Sequence, residues 1–133
     1  MRGLLVLGSL VALVAGCGQS SSAPPPTAPT LPSGVPRWIE LEHLPKRAVP
    51  GAVVFAASGC SACHTYAGSG NSNLGAPDLT AIGRRKYGIR FLVRQLQCPS
   101  CIRSGSAMPA FRSLGDKRLH ELAVFLDASK GTH

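Results

Sequence analysis

The stretch "GCSACHTY", residues 59–66, places Cys60 and Cys63 three positions apart and His64 directly behind the second thiol. Thiols at this spacing project the same way from one helical turn, and the imidazole follows on the adjoining position. The set suits a flat macrocycle with two neighbouring vinyl groups: each sulfur adds across a vinyl as a thioether, and the imidazole falls beneath the central iron. C-x-x-C-H is the attachment sequence of a c-type haem, so the expected cofactor is one covalently held haem c with its iron. Two other chemistries compete. A redox-active dithiol has no use for a histidine behind the second cysteine, and usually sits near a strand-helix-strand pattern that is absent here. A four-thiolate zinc module would use Cys60, Cys63, Cys98 and Cys101 as two C-x-x-C knuckles. The thirty-four residues between the knuckles exceed the usual ribbon spacing, and free thiolates do not persist in an oxidising compartment.

An iron that carries electrons without binding gases needs a second axial ligand. Met1 leaves with the leader described below, so Met108 in "SAMPAF" is the sole methionine of the mature chain, forty-four residues after His64. Pro109 fixes its own φ and biases Met108 toward an extended backbone, which helps hold a thioether on an irregular loop. His43 and His120 are the other candidate ligands; the first precedes the domain and the second falls on a helix surface.

With these residues in place the chain resembles the monohaem class I cytochromes c over about residues 50–129. The resemblance rests on "GAVVF" ahead of the attachment sequence, "CSACH" itself, "GAPDL" at 75–79, a helix ending near Pro99, "MPAF" at 108–111 and a final amphipathic helix. It implies an all-α fold of three to four helices wrapped around the haem, with His64 and Met108 as axial iron ligands. It also implies that the carbonyl of Pro77 accepts a hydrogen bond from the proximal imidazole and that Leu79 lies against the ring. Arg84 or Arg85 is expected to reach a haem propionate.

Residues 1–16 pair Arg2 with an apolar and small-residue run that ends just before Cys17, the order of an export signal and short for a membrane span. "LVAGC" resembles a bacterial lipobox, which implies cleavage before Cys17 and a lipid on its sulfur. Residues 17–36 then hold six of the eleven prolines, too little apolar surface to fold, and at about 3.1 Å per residue would tether a domain roughly 60 Å from a bilayer. Residues 37–49 form an extension with the single tryptophan, Trp38; residues 50–129 form the domain and 130–133 a tail. An extracytoplasmic, lipid-anchored location follows, periplasmic or on the outer face.

Without Arg2, thirteen Lys and Arg face six Asp and Glu, a balance of +7, and nine of the thirteen fall between Arg84 and Arg118. A field of one sign steers acidic partners, here an oxidase, a reductase or a quinol-oxidising complex. Nucleic acid is a poor partner outside the cytoplasm. Five cysteines leave one unpaired, a role Cys17 fills as the lipid site. Cys98 and Cys101 lack a following histidine; they are expected to close a short disulfide that stiffens the Met108 loop, with a redox-sensing or metal-transferring pair as the alternative.

Three helices must position these groups. Ile89, Leu92, Val93 and Leu96 recur at helical spacing and stop before Pro99, while Leu119, Leu122, Ala123, Phe125 and Leu126 form the last helix, with Asp116 at its start and Gly131 at its end. Pro50 suits the first turn of an earlier helix that carries Val53, Val54 and Phe55 toward the attachment sequence. "AGSGNSNLGAP" is loop by composition. Phe55 is expected to meet Phe125 and Leu122 where the first and last helices cross. The function expected is a membrane-anchored carrier of single electrons, not an enzyme in itself. The alternatives are a haem subunit of a larger oxidoreductase complex, a haem enzyme or gas sensor with a displaceable Met108, and the zinc module.

Overall fold

The computed structural model describes residues 42–131. After a 3-10 turn over Lys46–Ala48, helix α1 runs Val49–Ala57 with Pro50 in its first turn. There the missing N–H of Pro50 costs no hydrogen bond. The face α1 buries is Ala48, Gly51, Ala52 and Phe55, a spacing of three and four, whereas Val53 and Val54 are only half-buried. Small residues rather than the paired valines therefore make the contact, because the partner backbone comes close. Left-handed Gly59, with φ 74°, turns the chain out of α1 into a 3-10 turn over Cys60–Ala62.

The stretch read as plain loop begins with the turn and second strand of a hairpin: β1 (Thr65–Tyr66) pairs antiparallel with β2 (Ser69–Gly70). Its two connecting residues, Ala67 and Gly68, both have positive φ, the backbone of a type I′ turn. Alanine disguises the signal, since Asn-Gly or Asp-Gly is the usual marker.

Helix α2 spans Ile89–Gln97 and buries Leu92 and Leu96. Cys98 is extended, at φ −150° and ψ 77°, and Pro99 then opens a separate helical turn, α3, at Pro99–Ile102. Helix α4, Gly115–Ala128, buries Leu119, Leu122, Ala123, Phe125 and Leu126 and packs against both α1 and α2. It stops three residues short of Gly131, because Ser129 is drawn into the interior: its hydroxyl donates to Phe125 O at 2.9 Å.

The rings of Phe55 and Phe125 lie 5.4 Å apart, as the crossing of the first and last helices requires. A third ring joins them that the pattern of apolar residues had not marked. Tyr66 is fully buried, 5.6 Å from Phe55 and 4.9 Å from Phe125. Its hydroxyl lies 2.8 Å from Ser129 Oγ; since the Ser129 proton goes to Phe125 O, Tyr66 is the donor. Burial pushes the Tyr66 phenol up to about 12. Burial also extends upstream of Pro50, to Glu42, Leu44 and Ala48, so part of the 37–49 extension packs with the domain. Cys17, the 1–36 segment and Trp38 lie outside the described residues.

Candidate functional site

Cys60 and Cys63 occupy the 3-10 turn and its cap, and both are free thiols. The Cys60 carbonyl accepts from Cys63 N at 3.2 Å and from His64 N at 2.9 Å, which winds the five residues 60–64 around one point. Cys60 is buried, and burial pushes its thiol up to about 11. A neutral thiol in an apolar wall is the form that a thioether replaces with least change in charge.

The loop that follows is strapped across this turn. Asn71 N donates to Ser61 O at 3.0 Å, Asn73 N to Cys63 O at 3.1 Å, and Asn73 Nδ2 to Ala62 O at 2.7 Å. Further on, residues 77–80 are zipped to residues 64–67. Leu79 N donates to Thr65 O at 2.9 Å, Thr65 Oγ1 to Asp78 Oδ2 at 2.5 Å, and Ala67 N to Thr80 Oγ1 at 2.8 Å. Asp78 Oδ1 also accepts from Thr80 N at 2.7 Å. These bonds present the Pro77 carbonyl to the imidazole, where His64 Nδ1 donates to it at 2.8 Å. A carbonyl can only accept, so the proton is on Nδ1 and the lone pair on Nε2, the tautomer that ligates a metal through Nε2. Asp78 braces this arrangement; its sequence signal was the Asp-x-Thr of a local side-chain turn.

Met108 lies half-buried against the same apolar cluster that holds Cys60, Leu79, Leu92 and Leu96. Its loop is pinned at the base by Phe111 N to Leu96 O at 2.8 Å and by Arg112 Nε to Gln97 O at 2.9 Å. Gln95 Nε2, on α2, donates to Met108 Sδ at 3.9 Å, within reach for sulfur. Cys98 and Cys101 are joined in a disulfide, with Cα atoms 5.2 Å apart. That bond withdraws two of the four thiolates from a zinc module, and no group of three or more His, Cys, Asp or Glu converges among the described residues.

The two arginines assigned to a propionate are placed differently from one another. Arg84 is committed to the end of the chain, its Nε donating to Lys130 O and its second terminal nitrogen to Gly131 O at 2.6 Å. Lys130 Nζ returns a bond to Gly83 O at 2.6 Å. Arg85 is exposed. His43 and His120 are exposed as well.

The residues present fit a haem c. Two free thiols sit on one turn, an imidazole has Nδ1 fixed and Nε2 available, a half-buried thioether accepts from Gln95, and one apolar cluster takes in Cys60 and Leu79 with Met108 packed against it. Among the described residues no helix is long and apolar enough to cross a membrane. No curated protein matches the chain. Residues 46–126 match the family described as cytochrome C oxidase, cbb3-type, subunit III, a span that runs from the turn before α1 into the last turns of α4 and takes in every site residue above, and the chain belongs to this cytochrome c family.

Proposed function

We propose that the chain carries single electrons outside the cytoplasm, through one haem attached by Cys60 and Cys63 and ligated by His64 Nε2 and Met108 Sδ. The observation that carries this reading is the Pro77 clamp on His64 Nδ1 directly behind two free thiols. When bound, the haem supplies an iron that changes oxidation state by one electron. His64 and Met108 would hold the iron, and the chain's part is to fix both side chains and keep water from them. Pro77 sets the imidazole tautomer, Gln95 and the bonds from Phe111 N to Leu96 O and from Arg112 Nε to Gln97 O hold the loop of the thioether, and Leu79, Leu92 and Leu96 would exclude water. With a soft sulfur as one ligand and an imidazole as the other, the iron would favour the ferrous state more than with two imidazoles. A held methionine favours a carrier over a gas sensor with a displaceable ligand.

Arg85, Lys86, Arg90, Arg94, Arg103, Arg112, Lys117 and Arg118 are exposed, and among the described residues the ion pair formed in this group is Lys117 with Glu121 at 3.9 Å. This supports docking to acidic redox partners, with an on-rate that falls with salt. Lipid at Cys17 would hold the domain to the membrane by the 17–36 tether. The family description favours a second reading of the same haem, as a subunit of a larger terminal oxidase rather than a free carrier.

The test is expression in a host able to attach haem c. The expected product retains pigment through denaturing extraction and shows a low-spin ferric spectrum with a thioether-to-iron near-infrared band, which Met108→Ala abolishes. A colourless product, or a high-spin iron that binds carbon monoxide at once, overturns the reading. Labelling with a radioactive fatty acid tests the anchor, with Cys17→Ser as the unlabelled control.

A further inference from the structure

The Cys98–Cys101 bond has no part in carrying electrons through the haem, yet its position is not neutral. It joins the residue between α2 and α3 to the third residue of α3, at the start of the loop that presents Met108. A bond between residues three apart closes a small ring, so it constrains little of the whole chain and acts on that loop base.

Three features of its surroundings favour opening. Cys101 is exposed, so a thiolate from solvent reaches its sulfur. Ser100 Oγ lies 3.8 Å from Cys98 Sγ, placed to donate a hydrogen bond to the sulfur that leaves when Cys101 is attacked. The segment from 79 to 115 contains no Asp or Glu and seven Arg or Lys, among them Arg94 and Arg103 on either side of the pair. A cationic field lowers thiol pKa values and stabilises the reduced form, which makes a disulfide easier to reduce.

We propose that Cys98–Cys101 is a reversible two-electron site that a dithiol reductant opens, and that opening it loosens the loop holding Met108. The incoming thiolate attacks Cys101 Sγ; the sulfur–sulfur bond breaks, its electron pair goes to Cys98 Sγ, and that thiolate takes up a proton. The second thiol of the reductant then attacks its own sulfur in the mixed disulfide and releases Cys101 as a thiol. The reductant leaves as a disulfide, two electrons and two protons poorer. In the opened chain the 98–111 loop keeps its base anchors at Leu96 O and Gln97 O but loses the covalent constraint on α3. The thioether is then displaced more readily.

The second half of this inference rests on the haem reading; the first half does not. The purified holoprotein is treated in native buffer with dithiothreitol, trapped with iodoacetamide, digested and weighed. After trapping, the iron is reoxidised with ferricyanide and titrated with imidazole, which competes with Met108. Cys98→Ser/Cys101→Ser, which lacks alkyl groups, is titrated beside it. Both cysteines are expected to be alkylated without denaturant. Imidazole affinity is expected to rise on the order of tenfold in both opened forms, because apparent affinity scales with the population in which methionine is off. Two results overturn the proposal: a bond that yields only after denaturation, or opened forms whose imidazole affinity stays within about twofold of the disulfide form. A chain found to carry no haem would remove the electron-carrier reading, and with it the effect on iron, while alkylation would still decide whether the site opens.

Discussion

Gly51→Ala separates two physical accounts of the first helix because they predict opposite signs. Alanine is favoured over glycine inside a helix by about 1 kcal/mol, so α1 on its own gains. In the folded chain a Cβ built on Gly51 falls 2.6 Å from Phe125 Cβ and overlaps the Glu121 carbonyl oxygen. Carbon atoms rest at about 3.5–4.0 Å, so the seam between α1 and α4 must open by roughly 1 Å. A gap of about that size forfeits a quarter to a half of each contact along it, and this seam holds Ala52, Phe55, Leu122 and Phe125. Overpacking a well-filled interior costs about 1–3 kcal/mol, and weakening the Phe55–Phe125 pair, at 5.4 Å, adds about 0.5–1 kcal/mol. Set against the propensity gain, the net loss is about 2 kcal/mol. Guanidinium unfolding of the holoprotein measures it. At a slope of roughly 2 kcal/mol per molar, the midpoint should fall by about 1 M with the slope unchanged. A midpoint that stays put or rises would refute the argument, since it would mean that the helices do not cross at Gly51.

Gln95→Leu removes the N–H that draws electron density from Met108 Sδ; with Met108 as the proposed iron ligand, the freed sulfur would donate more strongly to ferric iron, and the midpoint potential should fall by roughly 20–40 mV in a spectroelectrochemical titration. Arg84→Ala should cost about 1 kcal/mol in denaturant, through the lost bonds to the Lys130 and Gly131 carbonyls, and leave the potential unchanged; a shifted potential would place Arg84 at the haem instead. The Tyr66 phenol holds its proton to about 12 in the folded chain against 10.0 unperturbed. Its raised value therefore favours the fold fully below pH 10 and is lost as pH rises toward 12. Tyr66→Phe should abolish that alkaline loss, at a cost of about 1 kcal/mol near neutral pH from the missing bond to Ser129.

The residues that do chemistry through their neighbours in sequence were legible without coordinates. Cys60, Cys63 and His64 lie within one turn, so spacing alone was enough to expect them together at one haem. The helices of Leu92 and Leu96, and of Leu119, Leu122 and Leu126, follow from a period set by backbone geometry, and Pro99 stops the first of them for a reason internal to its own ring. Residue types do not name distant partners, and the rest of the site depends on those. Only the folded chain brings Pro77 O to His64 across thirteen residues, Tyr66 to Ser129 across sixty-three, and Arg84 to the carbonyls of Lys130 and Gly131. Gly51 reads as an ordinary small residue until a second helix backbone lies against it. Where the chain returns on itself is decided by packing many weak contacts at once, and a local pattern carries no record of that outcome.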